Sequence, residues 1–176
     1  LAVTLAFVAD PFFGGDDDGL AMCLNAQVGK AGPPNDGKDL HLGLAERGVF
    51  MVAAPLSIAT CTMTGAALGF ARKVEQRVAF SFIGEGGSSL GEWHEAINLA
   101  AAHKLPCVFC IENNQTALST PVAQQSKVRS FVDKATGYGV AGVVVDGTDA
   151  VAIAAAFAWA ADRARNGLGP TLIETA

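Results

Sequence analysis

The residues best able to do chemistry in this chain are one carboxylate and one pair of carboxamides, spaced so that a fold can bring them together. Glu85 lies between Gly84 and Gly86, with Gly87 next, and 26 residues separate Gly86 from Asn113 and Asn114. An apolar run, Arg77 to Ile83, leads into the glycines, and a second, Pro106 to Ile111, leads into the asparagines. Both runs read as strands buried on both faces. The segment Gly91 to His103 between them reads as a helix. A strand–helix–strand unit puts the two polar groups at the same edge of neighbouring parallel strands, where open α/β sheets take ligands. A carboxylate with an amide oxygen is a hard-oxygen pair suited to Mg²⁺, and a diphosphate held through Mg²⁺ is the ligand this pair points to.

The glycines fit the same ligand. They let backbone N–H groups come close to a phosphate, and the following helix turns its positive end to the same place. The rival is a dinucleotide fingerprint. Gly84-x-Gly86-x-x-Ser89 lacks its third glycine, although Glu112 ends the next strand as a ribose-binding acid would. Glu85 argues against this rival. An anion beside a pyrophosphate is repelled by about 4 kcal/mol at a separation of about 4 Å in an effective dielectric near 20. A divalent cation between them reverses that sign. Each feature also has a plainer reading: Glu85 as a loop carboxylate, and Asn113 and Asn114 as turn residues, since Asn tolerates the left-handed region.

The elements that must position these groups follow from periodicity. Residues 1–48 read as an irregular, glycine-rich lead-in, with Asp16-Asp17-Asp18-Gly19 a solvated turn. Val49 to Val52 reads as a short strand. Pro55 suits a first helical turn, and Leu56 to Arg72 carries small residues at helical spacing. Ser88 or Ser89 is expected to start the next helix, and His103 to close it. After the strand Cys107 to Ile111 come a long loop to about Ser126, a short helix near Val128 to Ala135 and a strand Val140 to Val145. Asp146 and Asp149 read as turn and cap residues before a helix to about Asn166, which Gly167 stops; Thr171 to Glu174 begins a last strand. This alternation predicts one α/β domain over residues 1–176, a parallel sheet with helices on both faces.

Composition narrows the function classes. The 176 residues carry a net charge of −5 and form no basic patch, which argues against nucleic acid and an anionic membrane as partners. The apolar stretch Ala150 to Ala161 is shorter than the roughly 20 residues that span a bilayer. Only 16% of residues are charged and 51% are hydrophobic, so the surface is expected to be covered by further segments or partners. Leu1 is not an initiator methionine, and the chain reads as an internal piece of a longer protein. Cys23, Cys61, Cys107 and Cys110 read as reduced cytosolic or organellar thiols. Cys107 and Cys110 are three apart in a strand, so they face opposite sides and do not share a metal or a redox disulfide. His94, Met63 and Trp93 read as packing residues. His41 stays open between a structural role and one near a cofactor.

Gly84-Glu85-Gly86 followed by Asn113-Asn114 resembles the Gly-Asp-Gly … Asn-Asn motif of thiamine diphosphate enzymes. Gly91-Glu92-Trp93-His94-Glu95-Ala96, Leu105-Pro106-Cys107-Val108-Phe109, Glu112-Asn113-Asn114-Gln115 and Leu118-Ser119-Thr120-Pro121 resemble the alpha subunit of the 2-oxo acid dehydrogenases. So do Asp39-Leu40-His41-Leu42-Gly43 and Val145-Asp146-Gly147-Thr148-Asp149, and the resemblance covers roughly residues 35 to 174. It implies the thiamine diphosphate-binding fold and the cofactors thiamine diphosphate and Mg²⁺. Carried over by position, Glu85, the side-chain oxygen of Asn114 and the backbone carbonyl of Thr116 would bind Mg²⁺. Gly84 would belong to the cofactor loop, backbone N–H groups of Gly86 and Gly87 would hold the diphosphate, and the backbone of Leu56 would meet the aminopyrimidine ring.

The implied activity is oxidative decarboxylation of a 2-oxo acid with acyl transfer to a lipoyl arm. The implied partners are a beta subunit, in a heterotetramer and supplying the activating glutamate, and a lipoyl-bearing acyltransferase. The implied location is cytoplasmic in a bacterium or the mitochondrial matrix in a eukaryote, without secretion. Glu85 in place of Asp, and Pro55-Leu56 before the helix, resemble the branched-chain 2-oxo acid members. Ala53 and Ala54 stand where those carry serines, which puts their potassium site in doubt. Thr116 replaces a tyrosine, and Glu112 replaces an arginine seen in some members. The alternatives are a nicotinamide dinucleotide-binding domain and a non-catalytic truncated chain.

Overall fold

The computed structural model describes residues 17–39, 41–51 and 53–176. They fall into two compact units, one ending at Ala54 and one running from Pro55 to Ala176. In the first unit, helix α1 spans Asp17–Gln27, so the lead-in is not irregular throughout. Ala21, Met22, Leu24 and Ala26 are good helix formers, and the helix takes in Asp17-Asp18-Gly19 of the stretch that reads as a turn. Cys23 and Ala26 pack with Leu42 and Val49 in a small apolar cluster. The expected strand from Val49 shrinks to a single antiparallel bridge with Leu44. Gly48, at φ 79°, turns the chain there, and Val52 lies outside the described residues.

In the second unit a four-stranded sheet runs in the order β1 (Ala79–Gly84), β2 (Cys107–Glu112), β6 (Thr171–Thr175), β5 (Ala141–Val145), with all neighbours parallel. Helix α2 spans Ile58–Arg72, α3 Gly91–Ala102 and α6 Ala150–Arg165. The chain steps from β1 through α3 to β2, and from β5 back through α6 to β6. Right-handed crossovers in opposite directions place α3 and α6 on opposite faces.

The two cores follow this division. On one face Cys107, Phe109, Ile111 and Leu172 pack with Ala67, Trp93 and Ile97 from α2 and α3. On the other Val108, Cys110 and Ile173 pack with Ala156 and Ala160 from α6. Cys107 and Cys110 therefore face opposite sides, as the strand period requires. Trp93 meets Phe109 edge-on, with ring centroids 5.6 Å apart at 83°. Such a pair adds about 0.5–1.5 kcal/mol beyond its buried area and holds α3 against β2. Ser81 Oγ donates to Thr60 Oγ1 at 2.8 Å, which satisfies a buried polar contact between β1 and α2.

Several boundaries differ from the sequence expectation. Helix α2 begins at Ile58 because Ser57 lies in the left-handed region, at φ 67°. Neither Ser88 nor Ser89 caps α3; both belong to a 3₁₀ turn, Gly87–Ser89, and Leu90 is the cap residue. The expected loop to Ser126 contains a hairpin, β3 (Thr116–Ala117) with β4 (Thr120–Pro121), and one helical turn, α4 (Val122–Gln125). The short helix expected near Val128 forms later, as a 3₁₀ turn Phe131–Lys134 continuing into α5 (Ala135–Tyr138). Its start is set by Ser130, whose hydroxyl accepts from Val132 N–H while Asp133 accepts from the Ser130 N–H. Asp149 caps α6 as expected, accepting from Val151 and Ala152 N–H at 2.9 and 3.0 Å.

Candidate functional site

The register of β1 on β2 pairs Gly84 with Glu112. Glu85 and Asn113 therefore leave the sheet side by side at its carboxyl edge, as the motif spacing requires. Glu85 is 1% exposed. Gln125 donates its Nε2 to Glu85 Oε1 at 3.2 Å and to the Thr120 carbonyl at 2.7 Å. Ser88 holds the glutamate backbone, its hydroxyl donating to the Glu85 carbonyl at 2.6 Å. Among the described residues no ion pair reaches Glu85.

The two asparagines have different jobs. Asn113 is buried and turned inward. Its Nδ2 donates to Glu174 Oε1 at 2.8 Å, and its Oδ1 accepts from Gln115 N–H at 3.1 Å. Asn114 is exposed, and its Oδ1 accepts from Thr116 N–H at 3.0 Å. Val122 N–H bonds the Gln115 carbonyl at 3.1 Å. The alternation of an antiparallel ladder then makes Thr116 and Pro121 a pair that exchanges no hydrogen bonds. Pro121 loses nothing there by lacking an N–H. The Thr116 carbonyl is turned away from β4, to the edge where its own N–H meets the Asn114 oxygen. An amide oxygen and a backbone carbonyl thus share one edge beside the glutamate loop.

The glycines have a steric reason to be glycines. A Cβ at Gly86 would come within 2.4 Å of Ala117 Cβ, and one at Gly87 within 2.8 Å of the Ile83 side chain and 3.5 Å of Leu56 Cδ1. The hairpin and the glycine loop are packed too closely for a side chain, and Leu56 lies against Gly87. Gly84 meets no such neighbour. Glu112 remains at the end of β2; burial pushes its carboxyl above the usual range.

The residues present suit a polar, cation-bearing ligand. Ser57 Oγ, Glu112 Oε1 and Gln125 Oε1 are buried without hydrogen-bond partners among the described residues. Gln125 Oε1 lies at the glycine loop, 3.6 Å from where a Gly86 Cβ would stand; Ser57 sits in the turn before α2 and Glu112 at the end of β2. Orphaned polar atoms of this kind call for a partner. Among the described residues no three of His, Cys, Asp and Glu gather as a metal cluster. The candidate donors are instead one carboxylate, one amide and one backbone carbonyl, a set for a hard cation that takes its remaining oxygens from the ligand and water. A cleft of about 540 Å³ includes Gln115 and Pro121 of the hairpin but none of the expected metal ligands.

The other expectations find their places. Burial pushes the Cys107 and Cys110 thiols up to about 12, and the two lie in separate cores on opposite faces of β2. His94 Nδ1 bonds the Tyr138 hydroxyl, and burial, with help from Lys134, lowers the His94 pKa. It joins α3 to α5. His41 belongs to the first unit, where Asp39 accepts from its ring and its N–H. Glu174 and Gln125 were not singled out from sequence. Glu174 carried a faint signal, a carboxylate inside an otherwise apolar strand; Gln125 carried none.

The profile of the dehydrogenase E1 component family matches residues 12–176. The chain is 44% identical over 146 residues to the 3-methyl-2-oxobutanoate dehydrogenase subunit alpha of Mycobacterium tuberculosis, covering 76% of this chain and 40% of that protein. It is 48% identical over 111 residues to the pyruvate dehydrogenase E1 component subunit alpha of Bacillus subtilis, covering 63% and 30%. It is 39% identical over 149 residues to the 2-oxoisovalerate dehydrogenase subunit alpha of the same organism, covering 83% and 45%. The chain thus spans less than half the length of these relatives. Among solved structures, a transketolase from Pichia stipitis superposes with a TM-score of 0.59 at 28% identity, over 70% of this chain and 20% of that one. A thiamin diphosphate-dependent enzyme from Mycobacterium smegmatis shares the fold, with a TM-score of 0.52 at 24% identity, over 68% of this chain and 22% of that one.

Proposed function

Because the chain belongs to the dehydrogenase E1 component family, we propose that it is the cofactor-binding core of a 2-oxo acid dehydrogenase alpha subunit, holding thiamine diphosphate through Mg²⁺. The observation that carries this reading is the buried Glu85 carboxylate, which has no ion-pair partner among the described residues and leaves the sheet edge next to the Asn113–Asn114 turn. A buried carboxylate without a cation is costly, and a divalent ion removes that cost.

Glu85 supplies the charged ligand, and Asn114 and Thr116 supply neutral oxygens. Backbone N–H groups of Gly86 and Gly87 bind the diphosphate, in a loop that also contains Gly84, and the Leu56 backbone orients the aminopyrimidine. Bound thiamine diphosphate supplies a carbon nucleophile for the keto carbon of a 2-oxo acid, permitting loss of CO₂ and acyl transfer to a lipoyl arm; the protein orients it and tunes its charge. Glu85 in place of Asp, with Pro55-Leu56 before α2, favours a branched-chain 2-oxo acid as substrate. A beta subunit completes the site in a heterotetramer, so this chain alone does not turn over, and a lipoyl-bearing acyltransferase receives the acyl group.

The test is a titration of the full-length alpha subunit assembled with its beta subunit, using thiamine diphosphate with Mg²⁺ or with chelator, beside NAD. The expected result is Mg²⁺-dependent thiamine diphosphate binding, weakened at least a hundredfold by Glu85→Ala, about 2.7 kcal/mol or more. NAD binding that ignores chelator would overturn the reading.

A further inference from the structure

We propose that Glu174 is a positioning residue for the metal site, a buried latch that holds the Asn113–Asn114 turn so that Asn114 presents its oxygen to the cation; the proposal rests on the Mg²⁺–thiamine diphosphate reading above. Glu174 lies in β6, between Ile111 of β2 and Val144 of β5, and is 2% exposed. Its Oε1 accepts from Asn113 Nδ2 at 2.8 Å. Its Oε2 accepts from Val132 N–H at 3.0 Å and from the Ser130 hydroxyl. All three donors are neutral, and no ion pair reaches Glu174 among the described residues.

A core this apolar would be served as well by a neutral side chain if stability were the only demand, because removing a charge from water costs more than neutral donors return. What the carboxylate provides is acceptor capacity on both oxygens. It ties the loop after β2 and the turn before α5 to an inner strand of the sheet. Asn113 is then held at three polar groups: its N–H donates to the Thr175 carbonyl at 2.8 Å, its Nδ2 to Glu174, and its Oδ1 accepts from Gln115 N–H. Asn114 follows directly, and Gln115, at φ 73°, turns the chain toward the hairpin. The direction of the Asn114 amide is inherited from this anchorage.

Hydrogen-bond chemistry makes the latch testable. Glu174→Gln places one NH₂ group in a ring of donors. With its oxygen toward Ser130 and Val132, its NH₂ faces the Asn113 NH₂. Flipping Asn113 only moves the conflict to Gln115 N–H. Turning the introduced amide round keeps its oxygen on the Asn113 NH₂ but sets its NH₂ against the Val132 N–H, and the Ser130 hydroxyl must reverse to accept it. Every arrangement disturbs the anchorage, and those that keep the Ser130 and Val132 bonds displace Asn113 and carry Asn114 with it. The swap Asn113→Asp with Glu174→Gln removes the conflict, since the amide introduced in β6 then donates its NH₂ to the carboxylate introduced after β2, and the net charge is unchanged.

The experiment titrates Mg²⁺ at fixed thiamine diphosphate into the full-length alpha–beta assembly, reading cofactor binding by circular dichroism or fluorescence, with folding checked by far-ultraviolet dichroism. Glu174→Gln is expected to move the Mg²⁺ midpoint about tenfold upward, and the double swap to return it to within about twofold of wild type. A merely structural loss would lower the number of binding sites without moving the midpoint. An unchanged midpoint in Glu174→Gln overturns the latch alone, as does a folded double swap that stays weak. If Glu174→Gln fails to fold, the double swap still decides: a folded swap with wild-type affinity supports the latch, and any other result overturns it. Absence of Mg²⁺-dependent cofactor binding in the wild-type assembly overturns the underlying reading, and the latch with it.

Discussion

Gln125 Nε2 sits 3.2 Å from Glu85 Oε1 and 2.7 Å from the Thr120 carbonyl, while its own Oε1 is buried without a partner among the described residues. Both neighbours are acceptors, so the amide orientation is determined by chemistry. The residue clamps the glutamate and leaves an acceptor beside the glycine loop.

Removing the clamp should loosen Glu85. Gln125→Ala is expected to weaken Mg²⁺-dependent cofactor binding by about 1 kcal/mol, the net worth of one such hydrogen bond, or roughly fivefold. Calorimetric titration of the assembled enzyme measures it; unchanged affinity would mean that Gln125 only decorates the loop.

The close approach of Gly86 to the hairpin makes a second prediction. Gly86→Ala drives a methyl group to 2.4 Å from Ala117 Cβ and should cost about 1–3 kcal/mol of stability through overpacking. Ala117→Gly makes room and should recover most of that loss in the double variant. Urea unfolding of the full-length protein gives the four corners of the cycle. Additive effects of the two changes would show that the contact does not govern the choice of glycine.

Alkaline stability should depend on the two strand thiols. Burial pushes Cys107 and Cys110 from an ordinary value of 9.0 to about 12 in the folded protein. Folded pKa values above the unfolded ones mean that the unfolded chain loses its protons first. The contribution to stability is therefore full below about pH 9 and lost as pH rises toward 12. Urea midpoints at pH 8 and pH 10.5 should fall apart in the wild type and draw closer in Cys110→Ala. An equal fall in both proteins would assign the alkaline loss to other groups, of which Tyr138, also raised by burial, is one.

Local pattern carried much of this protein. The apolar runs before Gly84 and Asn113 became neighbouring strands because a strand covered on both faces needs little polar alternation. The three-residue spacing of Cys107 and Cys110 put them on opposite faces for the same geometric reason. Asp149 capped its helix because an Asx side chain reaches the first free N–H groups wherever it stands. The hairpin was missed because its turn, Leu118-Ser119, lacks the Gly or Asn that usually marks one, and Leu118 adopts φ 53° all the same.

What the sequence by itself determined, then, is the strand–helix–strand unit and the edge at which Glu85 and Asn114 emerge, since both depend on periods within a few residues. What only the tertiary structure decided is how those groups are held. Glu174 reaches Asn113 because β6 inserts beside β2, and Gln125 reaches Glu85 because the hairpin folds back over the glycine loop. Such contacts are set by which distant segments pack together, and a buried donor or acceptor acquires its partner only once that packing exists.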